Sequence, residues 1–129
     1  MNTENRIKPA QSLRDLRIKV AQKRASEIMQ ARPEKAVSCT TTTGTVGDGL
    51  ACTITQGGHS IVTDLGPGMG GDASGPSPSF LGRAAIASCI AIAIKMLAAT
   101  SGFAFRTVTV DVETEMDDLA LFGLGSGNA

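Results

Sequence analysis

One nearly uncharged stretch decides the fold of this chain: Phe80-Leu-Gly-Arg-Ala-Ala-Ile-Ala-Ser-Cys-Ile-Ala-Ile-Ala-Ile-Lys95. Isoleucine alternates with small residues in it, which imitates a strand. The pattern extends over residues 79–101, however, which is longer than a normal strand, and its alanine content favours a helix. The sequence therefore predicts a helix over 79–101 that ends at Gly102. A helix that is apolar nearly all round is buried on several sides, so we expect a partner subunit to cover one face.

A loop rich in glycine and proline leads into this helix: Gly66-Pro-Gly-Met-Gly-Gly-Asp-Ala-Ser-Gly-Pro-Ser-Pro78. Its glycines permit a positive φ and a close approach of the backbone. Ser77 or Ser79 can cap the helix, and Pro78 suits a first-turn position. The loop lacks the Gly-Lys-Ser/Thr ending of a phosphate-binding loop. We interpret it as one wall of a cleft beside Cys89.

An amphipathic helix is predicted over residues 11–31, before the loop. Ser12 followed by Asp15 is a plausible N-terminal cap, and Pro33 ends the helix. The apolar residues recur at helical spacing, and they are Leu13, Leu16, Val20, Ala21, Ala25 and Ile28.

Three short strands are predicted between this helix and the glycine-rich loop. They cover residues 37–46, 50–56 and 59–65, and their β-branched residues support the assignment. Asp48-Gly49 and Gly57-Gly58 are hairpin turns. The three strands are therefore predicted to form an antiparallel meander. Together with the two helices, they predict an α+β fold class.

A further strand is predicted after the long helix, at Arg106–Thr114. Val108, Val110 and Val112 alternate with polar residues, which is typical of a half-buried strand. The tail Leu119–Ala129 offers no material for another element. The strand is therefore expected to leave an exposed sheet edge, as though the domain were incomplete at its C-terminus.

Composition limits the classes of function. The 129 residues suit one domain, and the absence of Trp and Tyr argues against binding of single-stranded nucleic acid. Residues 1–36 carry a net charge of +5 and residues 37–129 a net charge of −5. The basic part is either an arm for an acidic partner or nucleic acid, or a surface helix that rests on its own acidic body. No nucleic-acid motif accompanies it, which favours the second interpretation.

The cysteines and histidine predict no metal or cofactor. Cys39, Cys52 and Cys89 show no CxxC spacing, so neither a zinc site nor a disulfide framework is expected. Cys52 is predicted to lie in the core, and Cys39 could be exposed. His59 is the only histidine and is interpreted as a turn residue at the start of a strand. The carboxylates Asp64 and Asp72, which flank part of the glycine loop, do not make a metal cage.

The expected compartment is the cytoplasm. Unpaired cysteines suit reducing surroundings, and the polar N-terminus does not look like a secretory signal. The apolar run at residues 84–94 is too short to span a bilayer, so no membrane association is predicted.

Several motifs together resemble the OsmC/Ohr family. They are Gly70-Gly71, Gly75-Pro76-Ser77-Pro78, Arg83-Ala-Ala-Ile-Ala-Ser-Cys89 and the alternating valines that lead to Glu115-Met-Asp-Asp118. The resemblance covers about residues 40–125. It implies an α+β fold with strands around two central helices, and an intertwined homodimer. Residues 1–36 then form a basic helical extension, and residues 37–129 form the OsmC-like domain.

The resemblance also implies a chemistry. Well-studied members are thiol peroxidases that reduce organic hydroperoxides in oxidative-stress defence, without a bound cofactor. Cys89 occupies the position of the attacking cysteine. The substrate cleft is then expected to include five residues of the loop and the start of the helix: Gly70, Gly71, Pro76, Pro78 and Ser79.

The sequence also departs from the family pattern. Ser79 stands where active members have a glutamate, and the paired arginine of those members corresponds to a place near Met69. The resolving cysteine of the family has no counterpart. Three hypotheses remain open: a cysteine-based hydroperoxide reductase recycled by an external dithiol, a non-catalytic protein that binds a small apolar molecule in the cleft, and a truncated remnant of either. By the residues alone, Cys89 is either a packing cysteine or a redox centre.

Overall fold

Two long helices and one small sheet form the described part of the chain, residues 10–125 of a computed structural model. The helices are α1, Leu13–Ala31, and α2, Pro78–Ser101. The strands are β1, Thr43–Val46, β2, Cys52–Gln56, and β3, His59–Thr63. The predicted α+β class is confirmed. Residues 1–9 of the basic extension and residues 126–129 of the tail lie outside the described residues.

Hydrogen bonds between Ser12 and Asp15 cap the N-terminus of α1 at the predicted position. The Asp15 amide donates to Ser12 Oγ at 3.1 Å, and the Ser12 amide donates to Asp15 Oδ2 at 3.2 Å. Two amides that the helix cannot satisfy are thus bonded reciprocally, which makes a capping box. The cap that the sequence predicted is confirmed.

The sheet is an antiparallel meander in the order β1-β2-β3. The turn between β2 and β3 has Gly57 at a φ of +57°, a conformation that favours glycine. The three-stranded meander is therefore confirmed, but its first strand is shorter than predicted. β2 ends at Gln56, and Thr43 already pairs with Thr55, so residues 37–41 lie beyond the end of β2 and have no partner backbone in which to continue the ladder.

α2 also begins and ends where the sequence predicts. The Phe80 amide donates to Ser77 Oγ at 3.2 Å, and Pro78 occupies the first turn, where a missing amide hydrogen costs nothing. Gly102 ends the helix in the left-handed region at a φ of +81°. The strand-like alternation of isoleucine is therefore overridden by helix propensity and by two good caps.

The prediction that α2 is buried is wrong for the single chain. Only Ala98 and Ala99 of this helix are buried. α1 packs along one side of α2, and within the described residues the sheet makes no substantial packing contact with it. Most of the apolar surface of α2 therefore faces solvent. The large exposed side chains are Phe80, Ile86, Ile90, Ile92, Ile94 and Leu97.

The length of α2 bears on the sequence argument about membranes. The sequence argument considered only residues 84–94, whereas the helix has 24 residues. By length and composition alone α2 could cross a membrane, a property that core helices of soluble proteins share. Among the described residues it is the one helix with this property.

The predicted strand at Arg106–Thr114 is not formed. The segment instead runs back along α2 in the opposite direction, held near both ends. Lys95 Nζ donates to the Phe105 carbonyl at 3.3 Å, and Arg83 Nη1 donates to Thr114 Oγ1 at 3.1 Å. No strand of the sheet offers its edge to this segment, so the backbone cannot form a ladder.

Half-buried and exposed residues nevertheless alternate along that segment, as its sequence predicts. Val108, Val110 and Val112 are half-buried, and the residues between them are exposed. The tail also contains an element that the sequence did not predict, a 3₁₀ helix at Asp118–Phe122. Its cap is Asp117, whose Oδ1 accepts the Leu119 amide at 3.0 Å.

The inward face of α1 differs from the predicted one. Leu13, Leu16 and Val20 were expected to face the core, but they are 82%, 45% and 69% exposed. Two residues of the predicted set, Ala25 and Ile28, do lie on the side of α1 that is covered. The others on this side are Gln11 before the helix, Asp15, Ile18 and Gln22. Polar groups therefore take part in the contact with α2, and the more apolar stripe is left outside.

An ion pair explains this orientation. Asp15, which is 2% exposed, places Oδ1 2.6 Å from Lys95 Nζ on α2. Just before α1, Gln11 Nε2 donates to the Ala99 and Phe103 carbonyls at 2.9 and 3.3 Å. A buried carboxylate requires a partner of opposite charge, so α1 must turn this side toward Lys95.

The hydrogen bond from Lys95 and the amide of Ser12 hold the pKa of Asp15 below its ordinary value, against the opposing effect of burial. Because the folded pKa is lower than the unfolded one, the stabilisation is fully present above the unfolded pKa. It is lost as the pH falls through the folded pKa.

We expect Asp15→Asn to lower the thermal unfolding temperature at pH 7 and to flatten its dependence on pH between about pH 5 and pH 2, since the substituted side chain no longer titrates. Thermal unfolding followed by circular dichroism across this range measures both effects. Asp48→Asn is the control, because Asp48 is exposed and Asn-Gly serves the hairpin turn as well as Asp-Gly. An unchanged pH profile for Asp15→Asn would contradict the role of the ion pair.

Candidate functional site

The thiol of Cys89 is exposed on α2, at the middle of the helix. The expectation of a buried thiol is therefore wrong for the single chain. The reason is the same as for the rest of α2: α1 covers another side and the sheet packs elsewhere. Of the other two cysteines, Cys39 is exposed, and Cys52 is half-buried rather than fully in the core. All three are free thiols.

Cys89 lies far along the helix from the residues that open it. Ser79 and Cys89 are ten positions apart in α2, which corresponds to about 15 Å along the helix axis. Ser79 Oγ is instead 3.0 Å from Ser77 Oγ, at the cap. Pro78 and Ser79 thus lie in the first turn of α2, and the helix itself does not bring them to the thiol.

Asp64 organises the glycine-rich loop. Its side chain is nearly buried, with the residue 3% exposed, and it accepts four hydrogen bonds. Oδ1 accepts the Leu65 amide at 2.7 Å, and Oδ2 accepts the Asp72 amide at 3.2 Å, the Ser74 amide at 3.1 Å and Ser74 Oγ at 2.8 Å. One carboxylate therefore closes the loop onto the end of β3.

The sequence argument considered Asp64 only as a possible metal ligand and missed this role. A usable signal was present, since Asp directly before a glycine-rich loop favours side-chain bonds to nearby backbone amides. The hydroxyl and amide of Ser74 lower the pKa of Asp64, and burial opposes them. The carboxylate is therefore held in its charged form by the loop that it organises.

The loop packs closely against the end of β3. A Cβ atom at Gly71 would overlap the Leu65 carbonyl and lie 2.7 Å from Asp64 Oδ1. A Cβ atom at Gly75 would overlap the carbonyl group of Val62. Gly70 has a φ of +87° and ends a short 3₁₀ turn. Close packing at Gly71 and Gly75 and the positive φ at Gly70 therefore explain why glycine occupies these three positions.

The structure gathers three of the predicted cleft residues in this loop. Gly70 and Gly71 lie where it turns back toward Asp64, and the Pro76 carbonyl accepts the Asp64 amide at 3.1 Å. Pro78 and Ser79 begin α2. The loop thus joins β3 to the helix that carries Cys89 and fixes how that helix starts.

The described residues do not assemble a metal site. Within residues 10–125 no three His, Cys, Asp or Glu side chains are grouped as ligands. The oxygens of Asp64 already accept bonds from the loop, and His59 begins β3, where it pairs with Gln56.

An apolar cavity of about 260 Å³ lies at the C-terminal end of α2. Part of its wall is the chain that leaves the helix, which Lys95 and Gln11 hold through the Phe105 and Phe103 carbonyls. The lining residues are Ile94, Leu97, Ala98, Ser101, Phe103 and Phe105. The cavity is separate from the glycine-rich loop, which lies at the other end of the helix.

We expect Gly71→Ala to destabilise the protein by about 1–3 kcal/mol, the usual cost of forcing atoms into a packed site. Gly68→Ala is the matched control, because no atom lies within 4 Å of a Cβ placed there. That change should be neutral or stabilising by up to about 1 kcal/mol, through its effect on the unfolded chain. Urea denaturation of both variants measures the difference, and equal stabilities would contradict the close packing of the loop.

One family of known proteins matches part of this chain. The family model described as OsmC-like protein matches residues 70–125. The match begins in the glycine-rich loop, contains Cys89, and extends through the 3₁₀ helix at Asp118–Phe122, whereas the sheet lies before it. Neither the curated proteins nor the solved structures yielded a significant match. The loop from residue 70, α2 and the segment that returns along it are therefore similar to the OsmC-like protein family.

Proposed function

We propose that this protein is a cysteine-based reductase of organic hydroperoxides that acts in oxidative-stress defence, with Cys89 as the attacking residue. The observation that carries the proposal is an exposed free thiol inside the region that matches the OsmC-like family. Cys39 and Cys52 lie outside that region. A thiol must reach its peroxide, and the exposure of Cys89 meets this requirement.

The reaction proceeds in two balanced steps. The Cys89 thiolate attacks one peroxide oxygen, so that an S–O bond forms, the O–O bond breaks, and the leaving alkoxide takes a proton to become the alcohol. The sulfur is oxidised to a sulfenic acid. An external dithiol then attacks this sulfur and releases water, and its second thiol frees Cys89 as the dithiol becomes a disulfide.

The surroundings of Cys89 predict a slow catalyst. Thiolate formation is favoured by a neighbouring cation or a helix N-terminus. Cys89 is eleven residues into α2 from Pro78, beyond the first turn in which the helix dipole acts. Arg83 is bonded to Thr114 and lies on another side of the helix. Ser79 and Met69 stand where active family members carry an activating pair.

A second copy of the chain is part of the proposal. Six large apolar side chains of α2 are exposed, contiguous apolar surface of this kind marks interaction sites, and a homodimer would cover it. We place the protein in the cytoplasm, because three free cysteines suit a reducing compartment. The proposed partners are therefore a second subunit, a small organic hydroperoxide and a dithiol reductant.

We expect Cys89→Ser to abolish dithiol-dependent consumption of cumene hydroperoxide, since serine cannot form the sulfenic acid. Cys39→Ser and Cys52→Ser are matched controls and should retain at least about half of the wild-type rate, because neither thiol takes part in the two steps. Mass spectrometry after peroxide treatment should find one added oxygen on Cys89. Equal turnover by Cys89→Ser and the wild type would reject the proposal.

A second candidate function rests on the apolar cavity at the C-terminal end of α2. Its volume of about 260 Å³ suits a small apolar molecule rather than a large one. In this alternative the protein binds such a molecule without catalysis. If the folded protein consumes no hydroperoxide but retains an apolar compound in native mass spectrometry, and Ala98→Leu fills the cavity and releases it, the binding function is favoured.

A further inference from the structure

A basic groove runs along α1, next to the side that α2 covers. It has a volume of about 430 Å³ and is open to solvent, and we call it the α1 groove. Six residues line it: Arg17, Val20, Ala21, Arg24, Ala25 and Ile28. The proposed peroxidase reaction does not use this surface, which lies on a different helix from Cys89.

The floor and walls of the groove differ in chemistry. Val20, which is 69% exposed, and the alanines form an apolar floor. Arg17 and Arg24 are seven residues apart, so their Cα atoms lie about 10 Å apart along the same side of the helix. An occupant that fits both features carries acidic groups next to exposed apolar side chains.

Arg17 and Arg24 have no ion-pair partner among residues 10–125. Among residues 10–125, the ion pairs of α1 are Asp15 with Lys95 and Lys23 with Glu27, the second at 3.8 Å. Neither Arg17 nor Arg24 forms one within this part of the chain. Two neighbouring arginines over an apolar floor are a common feature of protein-binding surfaces, where arginine is enriched.

The chain itself carries a surface with the complementary chemistry. Residues 111–122, which we call the acidic segment, contain no lysine or arginine. The acids are Asp111, Glu113, Glu115, Asp117 and Asp118. The exposed apolar residues among them are Met116, Leu119, Leu121 and Phe122, each 55–66% exposed. Acidic and exposed apolar side chains thus occur together on one short stretch, as the groove requires.

Within one chain the two surfaces do not meet. Arg83 on α2 holds Thr114, and none of the acids listed above pairs with Arg17 or Arg24 among the described residues. Nor does the 3₁₀ helix at Asp118–Phe122 pack substantially against α1 in this part of the chain. The groove and the acidic segment are therefore both available to another molecule.

We propose that the α1 groove of one copy binds the acidic segment of a second copy. In a two-fold symmetric dimer the contact forms twice, since each chain supplies one groove and one segment. The +5 charge of residues 1–36 and the −5 charge of residues 37–129 then compensate each other between subunits. This contact is separate from the covering of α2 and does not depend on the peroxidase activity.

Charge reversal on each side tests the contact. Arg17→Glu/Arg24→Glu places acids in the groove opposite the acidic segment, and Glu115→Lys/Asp118→Lys places bases in the segment opposite the basic groove. Each double variant alone should therefore dimerise at least about tenfold more weakly than the wild type. When the two variants are mixed, both contacts of the mixed dimer join opposite charges, and its stability should return.

Native mass spectrometry of an equimolar mixture measures the outcome even where α2 contributes to the dimer. We expect about 90% or more of the dimers to be mixed, whereas a random assortment gives about half. Arg14→Glu/Lys19→Glu is the matched control, because it changes the charge of α1 equally but lies outside the groove. This control should dimerise like the wild type, and circular dichroism verifies that every variant is folded.

Several results would overturn the proposal. A random assortment of the two variants would do so, as would equal weakening by the Arg14→Glu/Lys19→Glu control. A wild-type chain that is monomeric at every concentration and salt concentration would also reject it. Binding of the wild type to vesicles of phosphatidylserine and phosphatidylcholine that depends on Arg17 and Arg24, without any dimer, would assign the groove to a membrane instead.

Discussion

The ion pair between Asp15 and Lys95 is the constraint on which the arrangement of the two helices depends. Lys95 contacts the carboxylate on α1 and also the Phe105 carbonyl, so one ammonium group joins α1, α2 and the chain that follows α2. A buried carboxylate without such a partner would be strongly unfavourable. The rotation of α1 about its own axis is therefore set by charge rather than by its apolar stripe.

This orientation of α1 has two consequences for the surface of the molecule. The polar residues Gln11, Asp15 and Gln22 lie toward α2, so Leu13, Leu16 and Val20 are left outside. The groove between Arg17 and Arg24 lies next to the covered side, with Val20 at its exposed edge. α2 is covered by α1 and by the segment that returns along it, and neither covers the thiol of Cys89, so the thiol is accessible and a long apolar surface stays exposed. The ion pair thus fixes the orientation of α1, and this orientation determines which side chains of α1 and α2 are exposed.

A second carboxylate has a comparable role at the other end of α2. Asp64 accepts bonds from four donors in the loop between β3 and α2 and draws Gly71 against the Leu65 carbonyl. The loop that precedes the candidate nucleophile is consequently built around a buried acid. The family match includes this loop from residue 70, and the chemistry proposed for Cys89 depends on the helix that the loop positions.

The sequence by itself determined the local features of the fold and the identity of the candidate cysteine. The Ser12 and Ser77 caps, the end of α2 at Gly102 and the turn at Gly57 were predicted correctly, because each is formed by residues close together in the chain. The tertiary structure alone decided the exposure of α2, the inward face of α1, the role of Asp64 and the absence of a strand at Arg106–Thr114. Burial and strand pairing depend on distant segments: the valines alternate as in a strand, but a ladder requires a neighbouring backbone, and here the neighbour is a helix.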